Sequence, residues 1–152
     1  MRSKSFEGMA CSIATALEAV GDRWAMLVLR DLMLGLSRYD DLRKSTDITN
    51  ATLTDRLRQL EQTGLVERRL YQSGPDRYEY LLTPKGRDLS LVIQALAQVG
   101  DRWRLQQQAQ PPMRFVRAQS GTPLRLALVE EESGQSVPFS ELRVEACLLY
   151  TS

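Results

Sequence analysis

Histidine is absent from the 152 residues, and that absence excludes more chemistry than any residue present suggests. Ser-His-Asp and Cys-His nucleophile systems, a histidine general base and His-ligated zinc each need a side chain this chain lacks. Cysteine is scarce. Cys11 and Cys147 stand alone near opposite ends, so no CxxC knuckle or redox pair can be written within one chain, and no metal is expected. Long hydrophobic runs are missing too. The longest, Ala25 to Leu36, is broken by Arg30 and Asp31, which leaves it far short of the roughly 20 apolar residues of a membrane span. The opening Met1-Arg-Ser-Lys-Ser-Phe-Glu-Gly carries charge but no following apolar segment with a cleavage site, so a cytoplasmic location is expected. Charge of one sign is also missing, with 20 Lys plus Arg against 19 Asp plus Glu, so any strongly charged partner must be argued from local placement of charge. No Gly-rich phosphate cradle and no clustered carboxylate pair appears, and neither enzymatic activity nor a cofactor is expected.

What is present is an ordinary globular composition, 43% hydrophobic and 26% charged, enough for one folded domain with or without an appendage. Ile13, Ala14, Ala16, Leu17 and Val20 suggest a short helix with Ser12 as its cap and Gly21 closing it. Asp22 can cap a second helix, from about Arg23 to Leu34, with Trp24, Leu27, Val28, Asp31 or Leu32, and Leu34 spaced around it. A helix of about two turns carries Tyr39, Leu42 and Arg43. The next start is well specified: Thr49 caps free amides while Ile48 staples onto Leu53. Leu53, Leu57 and Leu60 then form one stripe, and Gly64 supplies the left-handed stop.

From Leu65 the period drops to two. Val66 to Gln72, a Ser73-Gly74-Pro75-Asp76 turn, and Tyr78 to Leu82 read as a β-hairpin. Thr83-Pro84 reads as cap plus N1 proline of a long helix through Trp103, which at ~1.5 Å per residue would span about 30 Å. The polar segment Gln106 to Pro112 marks a boundary. Beyond it, Met113 to Arg117, Leu124 to Val129 and Leu142 to Glu145 suggest three short strands. The expected organisation is therefore a first domain over 9–105 and a small β-rich extension over 113–146, with residues from Cys147 onward fitting no pattern.

Two short helices, a capped third helix and a hairpin are the order of a winged helix-turn-helix, mainly α with a β-hairpin wing, whose third helix enters the major groove of double-stranded DNA. That helix needs short hydrogen-bonding groups and cations on its outward side. Off the leucine stripe stand Asn50, Thr52, Thr54, Asp55, Arg56, Arg58 and Gln59, types suited to base edges, with Asp55 able to accept from cytosine or to hold Arg56 or Arg58. Arg43, Lys44 and Arg77 are the phosphate or minor-groove candidates, Arg77 beside the wing turn. The apolar face Leu89, Val92, Ile93, Leu96, Val99 and Trp103 outruns what one small domain covers, which points to a homodimer.

A resemblance makes this specific. Cys11, Gly21-Asp-Arg-Trp24, Leu29-Arg-Asp-Leu, Arg38-Tyr-Asp-Asp-Leu42, Leu53-Thr-Asp-Arg-Leu57, Leu60-Glu-Gln-Thr-Gly-Leu-Val66 and Tyr80-Leu-Leu-Thr-Pro-Lys-Gly86 resemble, in order and spacing, the HxlR-type transcriptional regulators over about residues 9 to 104. The resemblance implies a dimeric winged-helix DNA-binding protein whose N-terminal and last helices build the dimer. It also implies that a cysteine at the position of Cys11 sometimes senses oxidants or electrophiles. The expected function is a homodimeric transcriptional regulator, acting as a repressor on an inverted-repeat operator and answering a redox or small-molecule signal. The alternative is a winged-helix protein-interaction module without DNA binding.

Overall fold

The computed structural model describes residues 4–5, 8, 11–104 and 113–147, and the chain divides into two compact units, residues 1–93 and 94–152. The expected boundary segment 106–112 and the tail 148–152 lie outside the described residues. The first unit runs α1 (Ser12–Val20), α2 (Arg23–Met33), α3 (Tyr39–Thr46), α4 (Asn50–Gln62), β1 (Val66–Gln72), β2 (Arg77–Leu82) and α5 (Pro84–Arg87), after which α6 (Ser90–Arg104) begins. This is the winged helix-turn-helix architecture expected.

Local chemistry sets most boundaries. The Asp22 carboxylate accepts from the Ala25 amide at 3.0 Å, and Thr49 Oγ1 accepts from the Thr52 amide at 3.2 Å, each satisfying an amide the helix start leaves free. Cys11 rather than Ser12 occupies the cap position of α1, without a side-chain bond, and Ser12 is the first helical residue. The core joins Val28 and Leu29 of α2, Leu42 of α3, Leu53, Leu57 and Leu60 of α4, and Leu65 and Val66 at the start of the hairpin. Burying each such side chain contributes about 1.5–3 kcal/mol. Asp31 is buried among them, its Oδ1 accepting from Arg30 Nε at 2.9 Å.

The hairpin pairs antiparallel from Val66 opposite Leu82 to Gln72 opposite Arg77, with an irregularity between Leu70 and Gln72. Its base is tied down: the Tyr80 amide donates to the Ser37 carbonyl at 2.7 Å. The C-terminal end of α4 is held on two sides, by Thr63 Oγ1 donating to the Ala19 carbonyl of α1 at 2.8 Å and by Lys85 Nζ of α5 donating to the Thr63 carbonyl at 2.8 Å. A cation there also suits the negative end of the helix dipole.

The long helix expected from Pro84 is broken. α5 ends at Arg87 and α6 starts at Ser90; the Asp88 and Leu89 amides bond three residues back, to Lys85 and Gly86 carbonyls, so the turn tightens between the two helices. Gly86 is the cause. A Cβ there would stand 2.0 Å from the Leu65 carbonyl oxygen, so the close approach requires a residue of poor helix propensity. At ~1.5 Å per residue α6 is about 22 Å long, not 30.

In the second unit the three expected strands are replaced by a sparser arrangement. Among the described residues only Leu128–Val129 (β3) and Ser136–Val137 (β4) pair, while Met113 to Arg117 contributes a single bridge, Val116 to Pro123. Leu124 to Leu126 is held by helix side chains instead of a strand: Gln98 Nε2 donates to the Leu126 carbonyl at 3.2 Å and its Oε1 accepts from the Leu126 amide at 2.5 Å, while Gln94 Nε2 donates to the Leu124 carbonyl at 3.2 Å. Leu142 to Glu145 is exposed and forms no strand among the described residues.

Candidate nucleic-acid interface

The fold gives α4 two unlike flanks beside its buried stripe. Asn50, Thr54, Asp55 and Arg58 are exposed. Thr52 is half-buried, its hydroxyl taking a bond from Thr49 Oγ1 at 2.9 Å. Arg56 and Gln59 turn toward the N-terminus of α2. Arg56 Nε and Nη2 donate to Asp22 Oδ2 at 2.8 and 2.7 Å, and Nη1 donates to Asp55 at 2.5 Å. Asp22 therefore caps α2 with one oxygen and grips α4 with the other, and Arg56 orients the helix. The Gln59 amide lies so close to Gly21, whose φ is +98°, that a Cβ there would stand 2.3 Å from it. Asn50, Thr54, Asp55 and Arg58 thus lie on the open side of α4, whereas Arg56 and Gln59 are drawn toward Asp22 and Gly21, Arg56 staying bonded to Asp55.

One residue of this site escapes sequence reasoning. Tyr39, at the start of α3, places its hydroxyl 3.0 Å from the Asn50 carbonyl oxygen, 3.2 Å from Asn50 Oδ1 and 3.1 Å from Thr54 Oγ1. Helical periodicity casts Tyr39 as a packing residue. The only signal lies in its polar end, because an aromatic with a hydroxyl beside a capped polar helix has a use for both parts.

Comparison with known proteins fits this geometry. A family model described as HxlR-like helix-turn-helix matches residues 19–108. The chain belongs to that family. An HTH-type transcriptional regulator of Mycobacterium bovis is 42% identical over 113 residues, 74% of this chain and 70% of its own. The regulator YdeP of Bacillus subtilis is 36% identical over 103 residues, 67% of this chain and 79% of its own. Among solved structures, PA1607, a candidate transcription factor, is similar with a TM-score of 0.73 and 31% identity over 93% of this chain and 99% of that one. The oxidized redox regulator HypR is similar with a TM-score of 0.55 and 28% identity over 64% of this chain and 98% of that one. The protein is a transcriptional regulator with a helix-turn-helix fold.

Further cations stand on α3 and on the hairpin of this HxlR-like chain. Arg43 is half-buried and Lys44 exposed in the last turn of α3, and Arg77 is exposed where β2 begins. On the wing, Arg68 stacks on the Tyr78 ring at 4.3 Å and Arg38 on the Tyr71 ring at 4.4 Å. Arg69 donates to Glu79 at 2.7 Å. That bond is the main reason the Glu79 carboxyl is held below the ordinary glutamate range. Burial, with Glu61 adding to it, pushes the Tyr80 hydroxyl up.

The remaining candidates divide by burial. Leu89 and Ile93 lie inside the first unit, whereas Val92, Leu96, Val99 and Trp103 are exposed, Trp103 at 79%; Leu91, absent from the expected face, is 61% exposed. Cys11 is half-buried at the start of α1. Among the described residues no group of three or more Cys, Asp or Glu could hold a metal ion, and no helix is long and apolar enough to cross a membrane.

Proposed function

We propose that the protein is a homodimeric, sequence-specific repressor that inserts α4 of each subunit into successive major grooves of an inverted-repeat operator, about 34 Å apart. The observation that carries this reading is the exposed quartet Asn50, Thr54, Asp55 and Arg58 on a helix whose opposite flank is locked to α2 by Arg56 and Asp22. A helix presented so firmly, with donors and acceptors outward, has the properties direct base readout requires. Lys44 and Arg77 supply phosphate contacts on either side, and Arg43 joins them. The exposed Val92, Leu96, Val99 and Trp103 of α6 form the subunit contact, since monomers rarely leave so many large apolar groups in water.

Release from DNA follows a signal that changes the spacing of the two α4 helices. The likeness to the redox regulator HypR supports oxidation or alkylation of Cys11 as that signal. A largely apolar cavity of about 610 Å³, lined in part by Ala16, Ala19, Leu65 and Leu89, supports a small-molecule effector acting beside the same helix. The experiment that tests the reading is affinity selection of genomic fragments by the purified protein, followed by a salt titration of the enriched sites. Specific enrichment, with affinity falling steeply as salt rises, is the expected result. Absence of both leaves a protein-interaction module.

A further inference from the structure

The contacts of Tyr39 fix more than the position of its neighbours; they fix which protons those neighbours can offer. A tyrosine hydroxyl carries one proton and two lone pairs. Two of the three oxygens around Tyr39 Oη, the Asn50 carbonyl at 3.0 Å and Asn50 Oδ1 at 3.2 Å, are acceptors only. The tyrosine proton is therefore committed to Asn50, since lone pairs facing both oxygens would repel. The third neighbour, Thr54 Oγ1 at 3.1 Å, must then be the donor, spending its own proton on the tyrosine oxygen. Asn50 keeps its amide donors and, since an amide oxygen carries two lone pairs, an open acceptor site at Oδ1. Thr54 is left with an open lone pair and no proton. These two side chains sit four residues apart, on one turn of the same exposed face.

We propose that Tyr39 is a specificity-determining positioning residue that sets the hydrogen-bond polarity of the α4 surface at Thr54, leaving that hydroxyl an acceptor only. The inference rests on the reading of α4 as the helix that enters the major groove. Its consequence is a definite class of base at that place. The Thr54 oxygen fits bases that present an exocyclic amino group, adenine through N6 or cytosine through N4. The half-site therefore contains a position degenerate between adenine and cytosine, a mixture that purine–pyrimidine or strong–weak preferences do not produce.

The test is selection from a pool of randomised duplexes by the full-length protein and by two variants, Tyr39→Phe and Thr54→Val, each checked for wild-type circular dichroism. Wild type should enrich a motif with one position confined to adenine or cytosine, the wrong bases disfavoured on the order of tenfold, as one lost hydrogen bond implies. Thr54→Val keeps the shape and removes the oxygen, and should make that position indifferent while the rest of the motif survives. Tyr39→Phe should free the Thr54 proton. Guanine and thymine then enter the Thr54 position, and the tenfold preference falls to about twofold with overall affinity little changed. A Tyr39→Phe motif identical to wild type overturns the proposal and leaves α4 as the reading helix. Failure of wild type to enrich any sequence overturns that reading, and this inference with it.

Discussion

The Arg56 guanidinium and the Asp22 carboxylate meet at 2.7 Å, and through them α4 is fastened to the cap of α2. Asp22→Ala removes both the cap and the ion pair, and should lower stability by about 1–2 kcal/mol in urea unfolding. Asp22→Asn keeps a capping oxygen and should cost about half as much. Arg56→Ala should weaken DNA binding without changing the slope of affinity against salt, because its charge is spent inside the protein. A shallower slope would place Arg56 on a phosphate.

Arg58 and Arg77 are both exposed but serve different ends. Arg58→Ala should cost about 1–3 kcal/mol on the selected site and relax one base position. Arg77→Ala should weaken all duplexes alike and reduce the salt slope by about one. Fluorescence-anisotropy titrations on cognate and scrambled duplexes check the pair, and equal, trivial effects on both would count against this docking.

Leu96 is 56% exposed and Trp103 79% exposed on α6. Glutamate at either position should convert the dimer to a monomer in sedimentation experiments, because a charge buried in an apolar contact goes unpaired. Far-UV circular dichroism should stay unchanged. Dimers that persist in both variants would move the subunit contact elsewhere.

Gly86→Ala brings a methyl group against the Leu65 carbonyl oxygen, a backbone atom that cannot step aside. The expected loss is about 2–4 kcal/mol, a fall in Tm of at least about 10 °C. An unchanged melting curve would mean that α5 and β1 separate freely.

Cys11→Ser should leave operator binding intact and abolish release by diamide or quinones. Release that survives the substitution removes the thiol from the signalling scheme and leaves the small-molecule route.

The sequence was most legible where the decisive chemistry is local. Thr49, Asp22 and the Ile48 to Leu53 staple lie within a few residues of what they cap, and the hairpin announces itself by alternation around one turn. It was least legible where the answer depends on a neighbour distant along the chain. Nothing near Arg56 or Gln59 tells which flank of α4 meets α2, and Tyr39 stands 11 and 15 residues from its partners. The helix break at Asp88–Leu89 was hidden for the same reason, since Gly86 answers to Leu65. In the second unit the strand expected over Leu124 to Val129 shrinks to Leu128–Val129, since Gln94 and Gln98 hold backbone groups of Leu124 and Leu126 that a sheet would otherwise have claimed.

Because Lys85 and Ala19 both clasp the final turn of α4 while Asp22 holds its middle, that helix has no hinge of its own. On the proposed dimer, a stimulus that loosens the grip on the genome is therefore expected to slide whole heads apart like the jaws of a caliper, with substitutions that tune sensitivity expected at the pivot between the jaws and not on their teeth.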